Sequence, residues 1–164
     1  RKLATNADTN SSTGLQNVLQ ETTLSLLRNP ELWVYSNLET GIVPFNAAES
    51  TFNRISMTER SKLKAELTTN VSGQFRSNKA TTPLSGEADI TNEYIAITLL
   101  VATKRRSSIP DSNSSETLSE SLRIIGSIPS EQLIALEVIW QPEGKGEVLS
   151  SEDLVTAYPN LKHL

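Results

Sequence analysis

The chain has 164 residues, one histidine, no cysteine and a net charge of −4. That length suits a single domain with its own core. The composition excludes disulfides, thiol nucleophiles and thiolate metal sites, and a mildly acidic surface lacks the basic face that general nucleic-acid binding needs.

Residues 1–13 read as a polar lead-in and 14–164 as one globular domain. Ser12 or Thr13 is placed to cap a first helix. Leu15, Val18, Leu19, Thr22 and Leu26 share a face at helical spacing, widened by Leu24 and Leu27. Asn29-Pro30 should end this helix, because the residue before proline avoids the α region. Leu32 to Leu38 is a short strand candidate, and Thr40-Gly41 with Pro44 marks a turn.

A second helical pattern runs over 46–72. Ser56-Met57-Thr58-Glu59 fits a capping box, which predicts a break near Ser56. Ala48, Phe52 and Ile55, then Leu63, Leu67 and Val71, line its inner face, and Lys62 with Glu66 makes an i,i+4 pair on the outer one. Residues 73–91, rich in Ser, Thr and Asn, read as a long loop.

Two nearly uncharged runs follow, Tyr94 to Ala102 and Leu133 to Trp140. Both are apolar at odd and even positions, so they read as central strands covered on both faces. Between them Leu118, Leu122 and Ile125 predict a helix with Ser115 near its cap and Gly126 at its stop. After Pro142 and a Gly-rich turn, Ser150-Ser151-Glu152-Asp153 opens a last helix that points Leu154 and Tyr158 inward and closes at Pro159. The expected fold is α+β: a small mixed sheet of three to four strands with helices packed on it, containing one strand–helix–strand unit over 94–141. Were its two strands parallel, the crossover should be right-handed.

Chemistry is sparse. His163, near the terminus, reads as solvent-exposed, and a single histidine cannot supply the multi-histidine sets usual at catalytic zinc. Glu143, Glu147, Glu152 and Asp153 read as turn and helix-cap acids whose spacing fits no calcium loop. No catalytic, metal or cofactor residues are assigned. Glu137 stands out inside an apolar strand, since a buried carboxylate needs a partner. Arg54, Arg60 and Arg123 are candidates for that partner, and a solvated edge position is the alternative. Lys104-Arg105-Arg106 forms the basic cluster, and Trp33, Tyr35 and Trp140 would mark an interface if exposed.

Six blocks carry a resemblance: Gly14 to Thr22, Asn29 to Tyr35, Ala48 to Ser56, Tyr94 to Thr103, Leu133 to Pro142, and Tyr158-Pro159-Asn160-Leu161. In this order they resemble the domain-of-unknown-function family 1517 of cyanobacteria and plant chloroplasts, over about Asp8 to Leu164. The resemblance implies the soluble-side domain of a thylakoid or chloroplast-envelope membrane protein (or its cyanobacterial counterpart), tethered by a hydrophobic segment upstream of Arg1. Because the chain begins with Arg1, it reads as a processed product or an excised piece. A plant member is linked to photoprotection when light fluctuates, and the resemblance carries over no catalytic residues. Three readings follow: a non-enzymatic regulatory or protein-interaction module; a small-molecule or ion-binding domain, or cryptic enzyme, using Glu137 with an arginine; and a homodimer that pairs its sheet edges.

Overall fold

The computed structural model describes residues 11–69, 93–111, 113–142 and 147–164, with the backbone alone for 63–69. Among them four helices and four strands follow one another: α1 (Ser12–Leu27), β1 (Tyr35–Ser36), α2 (Phe45–Thr69), β2 (Ala96–Thr103), α3 (Ser115–Gly126), β3 (Leu133–Gln141), α4 (Ser151–Ala157) and β4 (Lys162–His163). The loop read over 73–91, the turn at 143–146, most of the lead-in, and the side chains of Leu63, Leu67, Val71 and Glu66 lie outside the described residues.

The α+β class holds, but the sheet differs from the one expected. The strands form two antiparallel pairs, β2 with β3 and β1 with β4, in place of one mixed sheet. β2 and β3 run from Ala96↔Gln141 through Leu100↔Glu137 to Ala102↔Ala135, with a register irregularity at Ala102/Thr103. β3 therefore begins beside the end of β2, α3 and its flanking loops are an excursion from that end, and the rule for parallel crossovers does not apply. The cause is that apolar residues on both faces mark burial on both faces, not strand direction.

Both faces are indeed covered, by different helices. Leu99, Val101 and Leu136 face α1 and α3, where they pack with Leu15, Leu19, Ile125, Ile128 and Leu133. The alternate residues Thr98, Glu137 and Gln141 face α2, as their hydrogen bonds to it show. The fold is thus a two-stranded ribbon between a helix pair and a single long helix. At the Ala96 end, Leu149, Leu154, Ala157 and Tyr158 form a second core with Tyr35, Tyr94, Ala96 and Leu161.

The helix ends follow from local chemistry. Ser11, one residue before the expected cap, accepts from Gly14 N at 3.1 Å. Ser114, next to Ser115, caps α3 in a reciprocal box with Thr117, and Ser150 caps α4 with Asp153. The box predicted at Ser56 does not form, and α2 is continuous. Thr58 Oγ1 donates to Arg54 O at 2.9 Å inside the helix, and Glu59 spends its carboxylate on Lys62 and Thr98 instead of reaching back. The strand read over 32–38 shrinks to Tyr35–Ser36, because Asn29-Pro30 starts a 3-10 turn over Pro30–Leu32.

Candidate functional site

The most organised polar chemistry lies in the seam between α2 and the ribbon. Glu137 is neither solvated nor unpartnered: its carboxylate accepts from Arg60 Nε at 2.6 Å and from Arg60 Nη2. Its side chain is 17% exposed and that of Arg60 53%, so the pair sits at the seam's mouth. Of the three candidate arginines only Arg60 reaches; Arg54 and Arg123 are exposed on α2 and α3. With one partner half in water, the tie contributes on the order of 1 kcal/mol.

One residue earlier on α2, Glu59 anchors a second group. Its carboxylate pairs with Lys62 Nζ at 2.6 Å and accepts from Thr98 Oγ1 at 3.3 Å. Lys62 also sits 4.5 Å over the Tyr158 ring, a cation–π contact, and its expected pairing with Glu66 lies outside the described residues. Tyr158 OH donates to Gln141 Oε1, and Gln141 Nε2 donates to Glu59 O at 3.3 Å and Arg60 O at 3.4 Å. α2, β2, β3 and α4 are thus joined through five polar side chains. Thr98, Gln141 and Tyr158 carry no standard motif, and Glu59 fits one, the capping box, that does not form. A period-2 signal existed, since Glu137 and Gln141 fall on one face of β3.

Burial, then the nearby Glu59 carboxylate, pushes the Tyr158 phenol up to about 12. An unfolded tyrosine titrates near ~10. From about pH 10 to 12 the unfolded chain therefore loses a proton that the folded chain keeps, and stability falls as pH rises through that window. We expect a loss of about 1–2 kcal/mol by pH 12 in urea unfolding, absent in Tyr158→Phe. Parallel pH profiles for the two proteins would contradict this.

The other sequence candidates do not converge on the seam. Lys104, Arg105 and Arg106 are exposed just past β2. Trp33, Tyr35 and Trp140 are half-buried and dispersed: Trp140 lies opposite Ile97 on the ribbon, and Tyr35 packs edge-on against Tyr94 and His163. His163 is exposed and pairs with Tyr35 across β1 and β4. Among the described residues no three His, Cys, Asp or Glu side chains are grouped to hold a metal, and no helix is long and apolar enough to cross a membrane.

Comparison with known proteins gives consistent results. Protein FLAP1 homolog A of Synechocystis sp. is 39% identical over 166 residues, covering 98% of this chain and 50% of that protein. The FLUCTUATING-LIGHT-ACCLIMATION protein 1, chloroplastic, of Arabidopsis thaliana is 35% identical over 164 residues, covering 99% of this chain and 41% of that protein. The chain thus spans half or less of the length of these relatives. No solved structure matches. The family described as Protein of unknown function (DUF1517) matches residues 1–164, and the chain belongs to it.

Proposed function

We propose that this domain serves acclimation to fluctuating light, and through it photoprotection, as a non-enzymatic regulatory module working by protein–protein contact. It acts at a photosynthetic membrane, thylakoid or envelope, held there by chain outside these 164 residues. The observation that carries the reading is the match, along 98–99% of this chain, to two proteins whose names refer to that acclimation or to its homologue. The exposed Lys104-Arg105-Arg106 is the proposed contact surface for an acidic partner. The alternative, a ligand site at Glu137, gains less support, since Glu137 and Arg60 already engage each other.

The test is replacement in Synechocystis. A strain lacking the relative should lag in fluctuating light and not in constant light. The relative carrying this domain in place of its own should restore growth, and the same protein with Lys104→Glu, Arg105→Glu and Arg106→Glu should not. A deletion strain that keeps pace in fluctuating light would overturn the proposal. Equal rescue by the charge-reversed protein would remove the basic surface from it.

A further inference from the structure

β2 has the composition of a central strand and the position of an edge strand. Its sequence, AITLLVAT, is free of charge and proline. Yet among the described residues its sole strand partner is β3, and none of its eight residues is fully buried. β3, by contrast, buries Leu133, Ile139 and Gln141. Just before and within β2, Ile95 is 61% exposed and Ile97 48%. An edge strand is ordinarily guarded by charge, proline or brevity, because its free N–H and C=O groups recruit other strands. β3 carries such a guard, the charge of Glu137; β2 carries none.

The backbone directions are set by strand alternation. Tyr94 exchanges both hydrogen bonds with Leu149, and Lys104 donates to Gln132 O, the residue just before β3. Even-numbered residues therefore turn their backbone groups toward β3, and Ile97, Leu99 and Val101 turn theirs outward. These outward groups can meet a strand of the same sequence. Charge then selects its direction. The segment starts at the exposed acid Glu93 and ends at the exposed cations Lys104, Arg105 and Arg106. A second copy running antiparallel, centred on Leu99, sets Ile97 opposite Val101 and brings each Glu93 alongside the other copy's Arg105. A parallel copy would stack like charges on like.

We infer that this chain forms a two-fold dimer through antiparallel pairing of β2 with β2 of a second copy, giving a four-stranded sheet in the order β3-β2-β2-β3. The contact is self-complementary, as two-fold symmetry requires. It satisfies the outward backbone groups, gives β2 the central position its composition specifies, and covers Ile97.

Light scattering on the eluting chain is the test. The expected mass is twice the 18.0 kDa of one chain. Glu93→Arg alone and Arg105→Glu alone should each weaken the dimer at least tenfold. The double variant should restore it, and Ile97→Lys should yield monomers with an unchanged circular dichroism spectrum. A chain that stays monomeric at ~100 μM would overturn the proposal, as would a dimer indifferent to Ile97→Lys and to all the charge variants.

Discussion

Leu19→Ala is expected to lower the unfolding free energy by about 3–5 kcal/mol. Leu19 is 0% exposed, the most deeply buried apolar residue among those described. It joins α1 to Ile128 beyond α3 and to Leu133 at the start of β3, with Leu99, Val101 and Leu136 packed around them. Truncation leaves a void between layers that cannot close without moving a helix. Domains of this size are stable by roughly 5–15 kcal/mol, so the variant should approach the edge of folding. Urea unfolding followed by the fluorescence of Trp33 and Trp140 would measure the loss. Leu24→Ala, on the same helix but 42% exposed, serves as the control and should cost under about 1 kcal/mol. Equal losses for the two would show that the layers do not meet at Leu19.

The second large effect concerns Gly126, the last residue of α3. A Cβ built there overlaps Thr23 Oγ1 and lies 3.2 Å from Thr23 Cβ. Thr23 is 1% exposed and fixed by bonds from its hydroxyl to Leu19 O at 2.9 Å and Gln20 O at 3.0 Å, so it cannot swing aside cheaply. In a helix, alanine is ordinarily favoured over glycine by ~0.5–1 kcal/mol. Here Gly126→Ala should instead destabilise by about 1–3 kcal/mol through overpacking. Adding Thr23→Ala removes the overlapping Oγ1 and leaves only Cβ, and the double-mutant cycle should show coupling of about 1 kcal/mol or more. Additive losses, or a stabilised Gly126→Ala protein, would contradict the close approach of α1 and α3.

Gly126 also shows what the sequence does and does not disclose. Its place at the end of α3 was legible as a helix stop, but the turn is made by Ser127 in a right-handed conformation (φ −88°, ψ 0°), and the glycine is needed for contact with a helix a hundred residues away in sequence. Helix faces were legible because Leu15, Leu19 and Leu26 in α1, and Leu118, Leu122 and Ile125 in α3, recur at helical spacing, and Leu19 and Leu122 end up buried. The two long strands were legible as strands with a helix layer on each face, though no residue of β2 is fully buried. Their direction was not, since it depends on where the chain returns after α3. β4 escaped because Lys162-His163 is too short and polar to show any period; only its pairing with Tyr35-Ser36 makes it a strand.

At the seam, Glu137 was conspicuous because a charge inside an apolar strand must be compensated, but which arginine does so depends on the path of α2. Arg54, Arg60 and Arg123 are equivalent in sequence terms, and the straight continuation of α2 through Ser56 is what carries Arg60 to Glu137. Gln141 and Tyr158 were read as a strand end and a core aromatic. Their joint role appears only when α4 folds back on the Ala96 end.

The account rests most heavily on the antiparallel ribbon held between two helix layers. Nuclear Overhauser spectroscopy on the labelled chain tests it most directly. The register predicts Hα–Hα cross-peaks between Leu99 and Val138, and likewise between Ile97 and Trp140 and between Val101 and Leu136. It also predicts contacts from Leu99 methyls to Leu19 and from Thr98 to Glu59, on opposite faces. Cross-strand peaks running in the parallel sense, or α1 and α2 contacts to the same face, would contradict it.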